Sequence, residues 1–309
     1  MTWALGLPTI FEYSGAIADV RVTCPDGSEH DCLQKIYRLG SEVAMSFAGS
    51  VKIGFAMLHH IQGTLAYNTQ YESQTALDPG QLRLWDGREI AMWLPEEAKR
   101  VWALATEAEK ASHCHLMLLS GLPDAIEGGG KTRRSQCSVF IFRSPDFGAE
   151  EVPHGKIGAI GWGTGVAACQ ALVQRLNSGH EGYFNSQRFE TGMPGGMLSQ
   201  IGMSATSILE EHEPKGISPY LTLCWAYPQR TIIKVNNHTK YGAALQAWND
   251  IGSGINLPLG TMNATEKVVI GRERPREVVQ FKVPHLARSW QELVTMLKAE
   301  GASAEGAST

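Results

Sequence analysis

Residues 35–61, with the sequence KIYRLGSEVAMSFAGSVKIGFAMLHHI, change their apolar period near the middle. Residues 35–39 and 42–47 are short, largely apolar runs on either side of Gly40, a pattern that predicts two strands. After Gly49 the spacing of the apolar residues becomes four, three and three, which predicts one face of a helix. The members of this face are Val51, Phe55, Leu58 and Ile61. The stretch therefore predicts two strands that lead directly into a helix.

The rest of the chain alternates runs of strands with pairs of helices. Residues 63–92 have no clear period and predict an irregular insertion. A second helix then begins near Pro95, a residue suited to a first helical turn, and runs to about residue 111. Further strands are predicted at 16–23, 115–122, 137–143, 156–160, 220–227 and 231–235, and further helices at 166–177 and 197–212. Because regular βαβ alternation is absent, we expect an α+β fold, a four-layer αββα sandwich of two stacked sheets between helices.

The composition narrows the class of protein. The 309-residue chain is 43% hydrophobic and 19% charged, with a net charge of −4, which excludes disorder as the main state. With 27 basic against 31 acidic residues, a nucleic-acid-binding protein is disfavoured. We find no apolar run of the ~18 residues that a membrane span needs and no basic signal-peptide region. Six cysteines without a CxxC pair predict free thiols. We therefore expect a cytoplasmic protein without membrane or nucleic-acid partners.

Two short motifs bear on metals and cofactors. His113 and His115 open a predicted strand, but no third ligand follows nearby in the sequence, so structural or surface histidines are favoured. Gly161-x-Gly163 lies between a predicted strand and a predicted helix, but Val166 stands at the third glycine position of the dinucleotide fingerprint. A tight strand-to-helix turn is favoured there. We expect neither a metal nor an organic cofactor.

Thr2 is a candidate nucleophile. A methionine at position 1 is normally removed when the next residue is small, and its removal would give Thr2 a free α-amine. Such an amine has a pKa of roughly 7.7–8.0, so part of it is neutral at cellular pH. It can then serve as the base for the hydroxyl of the same residue. Because any threonine at position 2 would look the same, Thr2 by itself does not indicate an enzyme.

Three elements downstream of Thr2 complete a pattern with it. They are Ala18-Asp19-Val20-Arg21, Lys35-Ile36-Tyr37-Arg38-Leu39 and Phe47-Ala48-Gly49-Ser50, and their Asp19, Lys35 and Gly49 lie 16 and 14 positions apart. In this pattern the chain resembles the proteasome β-subunit and the bacterial HslV-type peptidase, which are N-terminal-threonine (Ntn) hydrolases. A later turn, Ala159-Ile160-Gly161-Trp162-Gly163, is similar to the Ile-Gly-Ser-Gly turn of that family. The resemblance covers about residues 2–227 and implies the same αββα fold.

The resemblance implies a threonine-type peptidase or amidase that forms an acyl-enzyme and needs no cofactor. Thr2 Oγ would attack the amide carbonyl, and the charge of Lys35 would lower the pKa values of the Thr2 amine and hydroxyl. Asp19 would pair with Lys35 and orient it. The backbone N–H of Gly49 would donate to the oxyanion, an interaction worth ~3–4 kcal/mol of barrier. Taken singly, Asp19 and Lys35 also suit an ordinary ion pair, and Gly49 a plain turn.

By the same resemblance, six apolar or aromatic residues fall at the positions of the substrate side-chain pocket. They are Val22, Leu33, Tyr37, Phe47, Val51 and Phe55. These residue types predict a small or hydrophobic side chain before the cleaved bond. Simple core packing explains the same six residues equally well, because apolar pockets and cores share their composition.

The near-site turn formed by Trp162, Gly163 and Thr164 departs from the family pattern. Tryptophan replaces the turn serine of the family, and a side chain of this size would narrow or block the site. The acidic element that precedes the penultimate strand in the eukaryotic members has no clean counterpart in residues 211–216. With a retained Met1, which would block the α-amine, these features support an alternative function. The alternative is a catalytically inactive, proteasome-like structural or binding subunit.

The resemblance also bears on assembly and on the ends of the domain. It implies peptide or unfolded-protein substrates, self-association into rings or stacked arcs, and an ATP-dependent unfoldase partner. One hydrolase domain is predicted at residues 1–227. Residues 228–309 would form a final strand and a C-terminal extension whose last residues, 300–309, are frayed. In this extension Trp290, Leu293 and Leu297 predict a helix that packs on the same chain or on a neighbouring subunit.

Overall fold

The computed structural model describes residues 2–8, 13–40, 43–75, 87–121, 126–127, 131–132, 137–178, 196–227, 230–236, 267–270, 277–280 and 285–302. Its strands are β1 (Ala4–Pro8), β2 (Ser14–Asp19), β3 (Arg21–Thr23), β4 (Glu29–Asp31), β5 (Ile36–Arg38), β6 (Val43–Gly49), β7 (Cys114–Ser120), β8 (Ile126–Glu127), β9 (Lys131–Thr132), β10 (Ser138–Arg143), β11 (Glu150–Glu151), β12 (Gly158–Ile160), β13 (Leu221–Tyr227), β14 (Arg230–Asn236), β15 (Lys267–Ile270) and β16 (Glu277–Gln280). Its helices are α1 (Val51–Thr75), α2 (Gly87–Leu104), α3 (Glu107–Lys110), α4 (Ala167–Ser178), α5 (Gly196–His212) and α6 (Trp290–Ala299). A single 3₁₀ turn, Trp162–Gly165, lies between β12 and α4 in the described chain.

The first sheet brings the start of the chain to the end of β2. Its strand order is β12-β1-β2-β13-β14, and all neighbours in it are antiparallel. Ala4 is paired with Ala18 in the β1–β2 register, so the residues before β1 lie beside Asp19 at the end of β2. Asp19 N donates to the carbonyl of Trp3 at 3.2 Å, which continues this pairing by one step.

The second sheet places Lys35 and Gly49. Its strand order is β11-β10-β7-β6-β5, again with antiparallel neighbours. Lys35 directly precedes β5, and its carbonyl accepts a hydrogen bond from Phe47 N of β6 at 3.3 Å. Gly49 ends β6 opposite Cys114, at the point where the chain turns into α1. The strand–strand–helix order predicted for residues 35–61 is therefore present.

Three apolar clusters join the helices and the sheets. One cluster unites α1 and α2 with the second sheet, and another unites α4 and α5 with the first sheet. The third contains small residues of the first sheet, such as Ala16, and larger residues of the second, such as Met117 and Val139. A Cβ on Gly6 would lie 2.4 Å from Met117 Sδ, so the absence of a side chain there allows close packing. The chain is an α+β protein with helices packed on antiparallel sheets, which confirms the predicted class.

The insertion predicted at residues 63–92 is wrong at both of its ends. α1 continues to Thr75 and α2 begins at Gly87, while residues 76–86 lie outside the described chain. Leu65 is buried and extends the apolar face of Ile61 by one more turn. Burial of Leu65 therefore supports the helix beyond residue 63, where the insertion was predicted to begin.

The helix start predicted near Pro95 is also wrong. Pro95 lies inside α2, where its missing N–H and its ring cost ~3 kcal/mol or more. Ile90, Leu94 and Ala98 are four residues apart and all buried, so this face packs against the second sheet on both sides of the proline and offsets that cost. The helix stops before Thr106, which caps the separate helix α3 through a capping box with its third residue.

Residues 285–302, hereafter the C-terminal segment, pack on the same chain. Ala287 N donates to the carbonyl of Cys32 at 2.7 Å, and the Ala287 carbonyl accepts from Gln34 N at 3.0 Å. Leu293 and Leu297 of α6 are buried in the cluster that α1 and α2 form with the second sheet. Of the two alternatives for this helix, the structure shows packing on its own chain. The C-terminal segment thereby holds residues 32–34, immediately before Lys35. Residues 303–309 lie outside the described chain, and the domain division at residue 227 stays a prediction.

All six cysteines are buried, and none of them forms a disulfide. Burial alone raises the pKa of Cys114 to about 12. Of the helices in the described parts of the chain, none combines the length and the apolarity needed to cross a membrane.

Candidate active site

Thr2 is held from two sides. It lies two residues before the first residue of β1 and is fully buried. Its carbonyl accepts a hydrogen bond from Gly163 N at 3.0 Å, which ties it to the 3₁₀ turn. The N–H of the next residue, Trp3, donates to Asp19 Oδ2 at 2.7 Å. The backbone around Thr2 is therefore fixed by the turn and by the Asp19 carboxylate.

Lys35 connects the other two predicted catalytic side chains. Its Nζ donates to Thr2 Oγ1 at 2.9 Å and to Asp19 Oδ1 at 3.0 Å. All three residues have no exposed surface. The structure thus brings Thr2 and Asp19, at one end of the first sheet, together with Lys35, next to the second sheet, over 33 and 16 positions of sequence.

Burial governs the charge of Lys35. Loss of solvent lowers the pKa of the Lys35 ammonium from its ordinary value, and the Asp19 carboxylate opposes this shift through its charge and its hydrogen bond. An ammonium that donates to a hydroxyl favours the ionised oxygen, so it makes Thr2 Oγ easier to deprotonate. A hydroxyl activated in this way is suited to nucleophilic attack when a base lies within reach.

Asp19 is the most heavily hydrogen-bonded of the three. Besides Lys35 and Trp3 N, it accepts from Arg21 N at 2.9 Å and from Ser218 N at 3.4 Å, both on Oδ1. Backbone donors of this kind stabilise the charged carboxylate in a buried place. The Arg21 guanidinium is in turn held by Asp31 of β4, through Nε to Oδ1 at 2.8 Å. Asp19 is therefore suited to orient the Lys35 ammonium.

Ser218 is a site residue that the sequence reasoning missed. It is fully buried in the loop before β13, and its Oγ accepts from Tyr220 N at 3.0 Å. The only sequence signal is a serine close to Pro214 and Gly216, which marks a turn and not a partner for Asp19. Contact with Asp19 over 199 positions follows from the pairing of β13 with β2.

Gly49 occupies a backbone position that requires glycine. Its φ is +100°, and a Cβ there would lie 2.6 Å from the His113 carbonyl oxygen. Both features exclude a larger residue at the end of β6. This gives Gly49 a structural reason to be glycine in addition to its predicted role as an oxyanion donor, which stays a prediction.

The near-site turn lies against Thr2. Gly161, with φ +89° and ψ −172°, lacks the Cβ that would approach the Thr2 carbonyl oxygen to 2.4 Å. A Cβ on Gly163 would meet Trp3 Cγ at 2.3 Å. Thr164 Oγ1 donates to the Gly161 carbonyl at 2.7 Å and closes the turn. The glycines let the turn approach the backbone of residues 2 and 3.

A pocket with a volume of about 440 Å³ opens beside this turn. Trp162, which was expected to narrow or block the site, lines this pocket and is 58% exposed, so its indole borders the space. The full lining is Ala48, Gly49, Ala111, Ser112, His113, His115, Gly161, Trp162, Thr164 and Gly165.

The six residues predicted for the substrate side-chain pocket lie elsewhere. All are buried in the cluster of α1, α2 and the second sheet. Three of them form an aromatic group, in which the rings of Tyr37 and Phe47 stack at 5.7 Å and Phe55 meets both edge-on. None of the six lines the pocket beside the near-site turn. Their packing agrees with the core alternative, and a role in substrate binding stays a prediction.

The two histidines of the His113-x-His115 motif do line the pocket, with ring centroids 6.5 Å apart. Within the described residues, no group of three or more His, Cys, Asp or Glu side chains is arranged to hold a metal ion. Burial, aided by the charges of Arg143 and His113, lowers the pKa of His115 to about 4. His115 is therefore neutral at physiological pH.

Comparison with known proteins gives no family for this chain. None of the protein-family models matches the sequence, and none of the curated proteins matches it significantly.

Proposed function

We propose that this chain is an N-terminal-threonine hydrolase that cleaves amide bonds through an acyl-enzyme. One observation carries the proposal: a fully buried Lys35 ammonium lies between the Thr2 hydroxyl and the Asp19 carboxylate, at 2.9 and 3.0 Å. A buried lysine paired with one carboxylate is common as a structural ion pair. The second contact of this ammonium, with the Thr2 hydroxyl, is the feature that suits Thr2 to act as a nucleophile.

We further propose a four-layer αββα fold of the Ntn-hydrolase type. In support, one apolar cluster joins residues of both sheets, and two others join each sheet to its own pair of helices. The order β12-β1-β2-β13-β14 places the residues before β1 next to the end of β2. A sandwich of this kind would put the nucleophile at one end of both sheets, where Lys35 and Gly49 also lie.

In the proposed reaction, release of Thr2 from the residue before it provides the α-amine. That amine takes the proton of Thr2 Oγ as the oxygen attacks the substrate carbonyl carbon. The tetrahedral oxyanion is stabilised by the N–H of Gly49. Collapse expels the leaving amine, which receives the proton, and leaves an ester on Thr2 that water hydrolyses. Lys35 keeps the oxygen nucleophilic by its charge, and Asp19 holds Lys35 in place.

The proposal extends to the substrates, the assembly and the location of the enzyme. The substrates are peptides or unfolded proteins, and the chain self-associates into a ring or a stacked assembly in the cytoplasm. An ATP-dependent unfoldase supplies the substrates. The reaction needs no organic cofactor, since the nucleophile and the base belong to one residue.

One observation favours a second candidate, a catalytically inactive proteasome-like subunit. Thr2 has no exposed surface, and its hydroxyl lies within hydrogen-bond distance of a buried lysine. The same arrangement could serve only to join the two sheets. A free α-amine on Thr2 and a reactive hydroxyl distinguish the enzyme from this alternative.

The test is hydrolysis of internally quenched fluorogenic peptides by the full chain and by Thr2→Ala. Alanine is also small, so processing of position 1 is the same in both proteins. We expect a loss of at least ~10³-fold in kcat/KM, because the nucleophile itself is removed. Thr295→Ala, on the exposed face of α6, is the matched control and keeps full activity. Equal activity of Thr2→Ala and the full chain would overturn the proposed function.

A further inference from the structure

The pocket beside the near-site turn has a chemistry that selects its occupant. Its volume of about 440 Å³ falls in the range of small-molecule sites. Its described lining contains no Asp, Glu, Lys or Arg. Of its two histidines, His115 has a pKa lowered to about 4 by burial, so it carries no charge at neutral pH. A charged side chain entering this pocket would lose hydration and meet no Asp, Glu, Lys or Arg among the described lining residues.

Several residues of the pocket lining are glycine or alanine, which present little more than backbone. Gly49 and Gly161 both have positive φ, and a Cβ on either would come within 2.6 Å of a carbonyl oxygen elsewhere in the same chain, that of His113 or of Thr2. Ala48 and Gly165 add little more than backbone. Small residues in these four places leave a surface without protruding side chains, which a planar group can approach closely.

Trp162 forms the wall of the pocket on a fixed backbone. Its turn is closed by Thr164 Oγ1, which donates to the Gly161 carbonyl at 2.7 Å, and by Gln170 Nε2, which donates to the Thr164 carbonyl at 2.5 Å. The indole is nevertheless 58% exposed. An exposed tryptophan on a hydrogen-bonded turn offers a large aromatic face whose burial by a ligand is favourable.

The same turn ties the pocket to the candidate nucleophile. Gly163 N donates to the Thr2 carbonyl at 3.0 Å, and Gly161 lies both in the pocket lining and against that carbonyl. A group stacked on Trp162 is therefore held next to residue 2. We propose that this pocket binds an uncharged aromatic side chain of the substrate, flanking the amide that Thr2 attacks, with Trp162 as the specificity-determining residue. The claim that the bound side chain lies next to a cleaved amide rests on the proposed function, whereas the claim that the pocket binds an aromatic side chain does not.

The experiment has a kinetic arm and a binding arm. The kinetic arm uses internally quenched peptides that carry Phe, Ala, Lys or Glu on either side of the scissile bond. We expect the full chain to prefer Phe to Lys and Glu in kcat/KM. Trp162→Ala should reduce the Phe-to-Ala preference about tenfold, the factor that ~1.4 kcal/mol of lost stacking gives. Trp162→Phe should retain most of the preference. Leu104→Ala, which removes an exposed apolar side chain of α2, is the matched control.

The binding arm uses Thr2→Ala, which holds the peptide without cleaving it, and ligand-observed NMR with the Phe and Glu peptides. We expect binding of the Phe peptide and its loss in Thr2→Ala/Trp162→Ala. If no peptide is hydrolysed but Trp162-dependent binding of Phe persists, the proposed function fails and the pocket stands. If hydrolysis or binding shows the same preference with and without Trp162, the pocket inference is overturned. It is equally overturned if Trp162→Ala alters only the oligomeric state.

Discussion

The strongest prediction on stability concerns Lys35→Met, which replaces the ammonium with an uncharged side chain of similar length. Lys35 is fully buried, and its removal leaves the Asp19 carboxylate without its counter-ion. Breaking a buried pair in this way costs ~3–5 kcal/mol. Asp19 keeps three backbone donors, Trp3 N, Arg21 N and Ser218 N. We therefore expect a loss near the lower limit, about 3 kcal/mol of unfolding free energy.

A double-mutant cycle separates the pair from the rest of the core. Asp19→Asn alone leaves the Lys35 ammonium buried without its carboxylate, and Lys35→Met alone leaves Asp19 without its ammonium. The double variant has no unpaired charge, so its loss should be smaller than the sum of the single losses by about 1–3 kcal/mol. Lys52→Met is the matched control, since Lys52 is 58% exposed in its pair with Glu109 and should cost no more than ~1 kcal/mol.

The assay is urea unfolding followed by circular dichroism for the three variants, the parent chain and the control. Peptide hydrolysis is measured on the same samples below the unfolding transition. A loss below ~1 kcal/mol for Lys35→Met, or single losses that simply add, would refute a buried charge pair at this position.

Two further predictions follow from the turn and the pocket. Gly161→Ala should lower the free energy of unfolding by ~1–3 kcal/mol, because φ +89° with ψ −172° suits only glycine. The same substitution should displace Thr2 and reduce hydrolysis. The control Gly165→Ala, where a Cβ meets no atom within 4 Å, should change the free energy of unfolding little, and equal losses for the two variants would contradict the prediction. His115 has a pKa of about 4 in the folded chain and about 6.5 when unfolded, so the unfolded state binds more protons between these values and stability falls as the pH falls through them. Unfolding measured over this pH range should show a weaker fall in stability for His115→Gln than for the parent chain, and no such weakening for the control His154→Gln, whose side chain is exposed. Parallel curves of stability against pH for His115→Gln and the parent chain would refute the lowered pKa of His115.

The sequence predicts those parts of the fold in which local pattern and burial coincide. In residues 35–61 the change of apolar period marks the change from strand to helix, because the four residues of the predicted helical face, Val51, Phe55, Leu58 and Ile61, are all buried. In α2 the sequence pattern predicted the wrong helix start, because a proline such as Pro95 is typical of a first helical turn. Burial of Ile90, Leu94 and Ala98 on both sides of it overrides that local preference.

Some residues of the candidate site could be predicted from the sequence, and others could not. Thr2, Asp19 and Lys35 could be singled out because their spacing matches a known pattern, and the structure brings them within hydrogen-bond distance. Ser218 could not be found, because its contact with Asp19 depends on the pairing of β13 with β2. The bridge between Ala287 and Leu33 is likewise a long-range contact, and no local signal in the sequence indicates it.

The central claim is that Thr2 is a nucleophile with a free α-amine. The most direct measurement is labelling of the purified chain with an electrophile that reacts with a hydroxyl and an adjacent free amine, followed by intact mass and peptide mapping. The account predicts one label per chain on Thr2, at a mass that shows position 1 removed, and no label on Thr2→Ala. A chain whose position 1 is quantitatively retained, or whose free Thr2 stays unlabelled, would contradict the claim and favour the inactive subunit.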